Sequence, residues 1–246
     1  MITSEELDSI MKKAKLCNRL EDIYMFDEQG ENVPTYYIKL SDNKAIWYIP
    51  DNVYSMTVKD NINGTVTTLF KQIKTSENME LTVIGGNSLT ITDSMFYNDI
   101  FATLDLSQLN LSNIKSCDGM FYKTVITKRI IPNVFDISKI ENTTHMFRYA
   151  NINDDIQLTI NQFQTHLMTG LKCNSLDIRV DIDLEQYDNK LLKNFGIGIE
   201  LIEKEAYDNL GTALSDVHAN TIIVDNEMIK NCTMNNKYNI IVRDKQ

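Results

Sequence analysis

Leu104-Asp105-Leu106-Ser107-Gln108-Leu109-Asn110-Leu111-Ser112-Asn113-Ile114-Lys115-Ser116-Cys117-Asp118-Gly119-Met120-Phe121-Tyr122 is the stretch that decides the fold. Shifted forward by 26 residues, Leu109 to Ile114 falls on Phe135-Asp136-Ile137-Ser138-Lys139-Ile140. The same register carries Met120-Phe121 onto Met146-Phe147 without a gap. Met95-Phe96-Tyr97 precedes Met120-Phe121-Tyr122 by 25 residues, and Leu69-Phe70 lies another 26 before that. Self-similarity at a fixed period of this size marks a repeat architecture.

A second column runs in step with the first. Apolar-x-apolar strands are expected at Met56-Thr57-Val58, Leu81-Thr82-Val83, Leu104-Asp105-Leu106, around Ile130-Ile131, and at Ile156-Gln157-Leu158, spaced by 25, 23, 26 and 26 residues. Downstream the period shortens to about 20 to 23 through Leu176-Asp177-Ile178, Ile199-Glu200-Leu201, Ile222-Ile223 and Ile240-Ile241. There the segments between strands, Leu184 to Phe195 and Glu203 to about Val217, read as helical. A strand with one return segment cannot bury its apolar face alone, whereas stacked copies share a continuous core. The Met-Phe pair is expected on the return segment as core filling, Met adapting to irregular gaps and Phe burying a large area.

The pattern from Leu104 to Tyr122, with Leu-Ser-Asn in the middle and Met-Phe at the end, resembles the 25-residue repeat of the BspA-like leucine-rich repeat family of bacterial surface proteins. The next copy, Phe135 to Phe147, resembles it too, keeping Ser138 but carrying Lys139 where the Asn stood. The resemblance implies an α/β repeat fold, a leucine-rich-repeat-like solenoid that serves as a recognition surface and not as an enzyme. It also implies an alternative role, that of a surface or adhesion repeat protein whose export signal is missing from this chain.

The ends read as caps. Thr3 followed by Glu6 makes a capping-box pattern that opens a helix to about Leu20. A hairpin follows, Tyr36-Tyr37-Ile38-Lys39-Leu40 and Ala45-Ile46-Trp47-Tyr48-Ile49, joined by Ser41-Asp42-Asn43-Lys44. Residues 1–55 are thus expected to form a helix-plus-hairpin cap over the end of a solenoid spanning 56–246. The rival reading of 1–55 is an independent ligand-binding subdomain.

Composition narrows the function. The 246 residues are 43% hydrophobic, with 9 Gly and 3 Pro, which supports a folded core. A net charge of −10 argues against nucleic acid and against an anionic membrane surface, and favours a protein partner with a basic surface. No run of apolar residues is long enough to span a bilayer, and the Met-Ile-Thr-Ser-Glu-Glu-Leu start has no basic, apolar leader pattern, so a cytoplasmic location is expected. Cys17, Cys117, Cys173 and Cys232 form no CxxC spacing and are expected as free thiols.

Catalytic motifs are missing from the sequence: it holds no HExxH, GxSxG, P-loop or GxGxxG. No enzyme activity, cofactor or metal is expected. Asp177-Ile178-Arg179-Val180-Asp181-Ile182-Asp183 places three carboxylates and one Arg on a single strand face, which reads either as a solvated face with an ion pair or as a foothold for a divalent cation.

Two sets of residues are candidates for protein binding. One is the outward strand column, with Asp105, Gln157, Asp177, Arg179 and Glu200, growing more acidic toward the carboxy half. The other follows each Met-Phe pair: Tyr97, Tyr122 and Arg148, of types enriched at interface hot spots. Packing of the rings along the repeat is the plainer alternative for the second set. The reading that joins these features is a non-catalytic, cytoplasmic protein-binding solenoid, of a kind that suits a phage or mobile-element inhibitor of a host defence protein.

Overall fold

The computed structural model describes residues 9, 23–33, 35–58, 75–161, 166–180, 217–224 and 239–242. Their elements are thirteen strands, with no helix among them. A small antiparallel sheet joins β1 (Ile23–Phe26), β2 (Asn32–Val33) and β5 (Ser55–Val58) in the order β2-β1-β5. The main sheet is mixed. It runs from β3 (Tyr36–Ser41) and β4 (Lys44–Ile49) through β6 (Glu80–Gly85), β7 (Ile100–Leu109), β8 (Val125–Ile131), β10 (Asn151–Ile160), β11 (Lys172–Val180) and β12 (His218–Val224) to β13 (Asn239–Val242). The short β9 (Val134–Asp136) pairs with β10 beside this path.

The hairpin β3–β4 is antiparallel, and from β4 onward each neighbouring pair is parallel. The expected apolar-x-apolar segments at 81–83, 104–106, 130–131, 156–158, 176–178, 222–223 and 240–241 all lie in these strands. Among the described residues, the expected α/β leucine-rich-repeat solenoid is corrected to an all-β arrangement dominated by one mixed sheet. The physical reason lies in the return segments. Each carries two left-handed residues four positions apart: Ser94 with Asn98, Gly119 with Lys123, and His145 with Tyr149, all at φ of 57° to 61°. Such residues break an α-helix at every turn, so these segments close as tight turns.

Two further differences concern the amino-terminal half. Met56 to Val58, expected to open the repeats, pairs antiparallel with β1 instead. The hairpin does not sit apart from the repeats, because β4 pairs in parallel with β6, Trp47 opposite Val83. The expected helix from Thr3 to about Leu20, the Leu69-Phe70 pair, and the expected helical segments from Leu184 to Phe195 and from Glu203 to about Val217 lie outside the described residues, Ser9 and Val217 excepted.

The turns form a ladder of their own. Single parallel bridges link Ser55 to Ile91, Ile91 to Ser116 and Ser116 to Asn142. Beyond them, every second turn amide donates to the next turn: Ser94 to Asp118, Phe96 to Met120, Gly119 to Thr144, Phe121 to Met146, and Lys123 to Arg148, at 2.8 to 2.9 Å. One continuous core lies between sheet and turns. Phe96, Phe121 and Phe147, fully buried, stack at 5.6 and 5.1 Å, and meet Phe101 and Phe135 of the strands edge-on. Each buried ring contributes roughly 1.5–3 kcal/mol from area alone. At the amino-terminal end Trp47 packs edge-on against Phe96 at 6.3 Å, and its indole N–H donates to Thr35 Oγ1 at 2.6 Å. Gly85 closes β6 at φ +91°, where a Cβ would run into the Ile49 carbonyl.

Candidate functional site

The turn ladder sets equivalent residues of successive repeats directly beside one another. Ser94, Gly119, His145 and His166 occupy the first left-handed position, and Asn98, Lys123, Tyr149 and Gly170 the second. Between them stand Tyr97, Tyr122 and Arg148, so the residues that follow each Met-Phe pair line up on the side of the ladder away from the sheet. Tyr97 and Tyr122 stack with centroids 5.1 Å apart and planes 6° from parallel. Tyr149 stands edge-on to Tyr122 at 6.1 Å.

Cations lie against these rings. The Arg148 guanidinium carbon is 5.7 Å from the Tyr122 centroid and 5.1 Å from that of Tyr149, and Lys123 Nζ is 5.3 Å from Tyr122. Contacts of this kind contribute about 0.5–1 kcal/mol when exposed and more when water is excluded. Arg148 Nε is buried without a hydrogen-bond partner. Among the described residues no carboxylate pairs with the guanidinium. The rings therefore hold the group in place while its terminal N–H donors stay available.

An imidazole pair borders the strip. His145 and His166 stack at 5.6 Å, and His145 Nδ1 lies 3.3 Å from Asp118 Oδ1. Beneath, Asp93 accepts from Ser116 Oγ at 2.6 Å and from the Asp118 amide at 2.9 Å. Burial, the largest influence, pushes the Asp93 carboxyl above its ordinary range despite these bonds. Burial also raises the Cys117 thiol, and it pushes Cys173 up to about 12, so both stay protonated and poor nucleophiles. Both are free thiols.

Of the sequence-derived candidates, Tyr97, Tyr122 and Arg148 are brought together. Lys123, Tyr149 and the histidine pair complete their surface, and the period that aligns the Met-Phe pairs aligns them too. The strand candidates are separate, with the aromatic core between. Asp105 Oδ1 accepts from the Ser107 amide at 2.9 Å, within β7 where its register with β6 shifts, so it is tied to its own strand. Gln157 and Asp177 are in register on β10 and β11, and Gln157 Oε1 accepts from Arg179 Nε and Nη2 at 2.9 and 3.0 Å. Glu200, Asp181 and Asp183 lie outside the described residues.

No group of three metal-ligating side chains occurs among the described residues, and none of their helices is long and apolar enough to cross a membrane. No protein family, no curated protein and no solved structure matches the chain.

Proposed function

We propose that the chain is a non-catalytic protein-binding module that engages its partner through the strip of Tyr97, Tyr122, Arg148 and Tyr149. The observation that carries this reading is Arg148, ring-flanked yet without an acidic partner among the described residues. Holding a guanidinium against two rings lowers the entropy lost when its donors meet a partner's carbonyl or carboxylate. A few residues carry most of the binding energy at protein interfaces, and Tyr and Arg are enriched among them. A net charge of −10 over the whole chain adds long-range steering toward a partner with a basic surface around that contact.

The test is an affinity capture from native lysate, at low and high salt, with wild type beside Arg148→Ala, Tyr149→Ala and the remote control Lys39→Ala. A stoichiometric protein retained by wild type and by the control, and weakened about tenfold or more by either strip variant, supports the reading. A partner bound equally by all four proteins overturns it.

A further inference from the structure

Where β7 and β9 run side by side, the main sheet splits. β7 pairs with β8 as far as Asp105 opposite Ile131, and β9 pairs only with β10, so no register joins residues 106–109 to 134–136. A cavity of about 470 Å³ opens in the split, floored by Leu109, Leu111, Met120, Phe135, Ile137 and Met146.

The sequence supplies a cause. One repeat earlier the adjacent turns are stitched together: Asn113 Nδ2 donates to the Asn87 carbonyl at 3.0 Å, and Asn110 Nδ2 to Asn87 Oδ1 at 3.4 Å. The positions 26 residues after Asn113 and Asn110 hold Lys139 and Asp136, neither of which carries the amide that makes the stitch. The turn itself is unchanged, since Asp136 Oδ1 accepts from the Ser138 amide and hydroxyl as Asn110 Oδ1 accepts from those of Ser112. Only the tie to the neighbouring repeat is gone.

Both walls of the split are strand edges. In a parallel strand alternate residues bond to opposite neighbours. The Asn110 amide donates to Gly85, so Ser107 and Leu109 turn their backbone groups into the split. The Gln157 amide donates to Asn133, and the Ile137 amide to Thr159, so Val134 and Asp136 face it from the other side. Asp105 occupies the Ser107 amide, but the remaining edge groups have no strand partner. A purely apolar ligand would fill the floor and leave those edges unsatisfied.

We propose that this split receives an extended segment of a partner protein, added as a strand between β7 and β9. Its alternate apolar side chains enter the cavity, its backbone bonds to both edges, and an acidic residue meets Lys139. Lys139 is exposed and has no acidic partner among the described residues, whereas the nearby Asp105 and Asp136 carboxylates already accept hydrogen bonds. About four residues, at roughly 3.3 Å each, span the open length of β7. This docking is independent of the aromatic strip.

The test is selection from a random peptide display library on wild type, with counter-selection on Lys139→Asn, which restores the stronger of the two stitching amides and removes the charge. The proposal expects peptides with alternating apolar residues and an Asp or Glu. A labelled synthetic copy should bind wild type about tenfold tighter than Lys139→Asn, and tighter than Val134→Pro by a similar factor, since Pro removes one edge donor. Bound peptide should slow amide exchange at Leu109, Val134 and Asp136 and leave Ile137 unchanged. Thermal melting of both variants checks that they fold. Three results overturn the proposal: no enriched peptide, peptides bound equally by well-folded variants, or protection at Tyr122 and Tyr149 in place of the strand edges. Dodecanoate filling the cavity with no peptide able to displace it overturns it as well, in favour of a small amphiphile.

Discussion

The Tyr149 ring lies against Gly170, 21 residues later, so closely that a Cβ at Gly170 would overlap it. Gly170 also holds φ +70°, a left-handed conformation at the position equivalent to Tyr149, Lys123 and Asn98 in earlier repeats. At this last copy glycine serves two ends: it meets the backbone requirement and leaves room for the exposed Tyr149 ring.

Gly170→Ala should therefore be destabilised by about 1–2 kcal/mol from backbone strain alone, and Tyr149 should move off its seat. Urea unfolding gives the first quantity, and the Tyr149 ring resonances report the second. If Tyr149 anchors a partner, capture should weaken in this variant even at temperatures where it is fully folded. An unchanged unfolding midpoint would overturn both the strain at this position and the close fit of the Tyr149 ring.

Phe121 is the middle ring of the stack and contacts Phe96, Phe147 and the strand residue Phe135. Phe121→Ala should cost about 3–5 kcal/mol, combining lost transfer energy with a cavity that the paired turns cannot close. Phe121→Leu should cost less, because it keeps most of the volume. Denaturant titrations of both variants, with the single Trp47 as the fluorescent reporter, check the order. Trp47 is fully buried beside Phe96, so its emission follows this core.

Asp93 carries a pH prediction whose sign follows from burial. Its carboxyl titrates above the ordinary value of 3.8 when folded, so the folded state binds its proton more tightly than the unfolded chain does. The stability linked to that proton is present at low pH and lost as pH rises through the folded value. Asp93→Asn keeps an acceptor for Ser116 and Asp118 but removes the charge. It should melt higher than wild type at neutral pH, with the gap narrowing as pH falls toward 4, roughly the unfolded value. A gap that is constant across this range would show that Asp93 gains as much from its hydrogen bonds as it loses by burial.

Much of the arrangement can be read in advance from spacing. The offsets between Met95-Phe96, Met120-Phe121 and Met146-Phe147 place the three rings in one stack, and they set Tyr97, Tyr122 and Arg148 in one line. The hairpin of β3 and β4 is legible from its alternation around Asp42-Asn43. The side-chain partners are not legible in this way. Asp105 looks like an outward acidic contact but bonds the Ser107 amide, because the neighbouring strand leaves that amide unpaired. Gln157 and Arg179 hold one another across two strands, and only the register brings them opposite.

Taken alone, the sequence determined the period, the residues that fill the core, and the line of Tyr97, Tyr122 and Arg148, because each follows from equal spacing along the chain. The tertiary structure decided that the return segments are hydrogen-bonded turns and not helices, since left-handed residues such as Ser94 and Asn98 are held there by bonds to the next repeat. It also decided that Met56 leaves the main sheet for β1, and that β7 and β9 part beside Lys139. These outcomes depend on which neighbour satisfies each backbone group, and that choice is made between segments far apart in the chain.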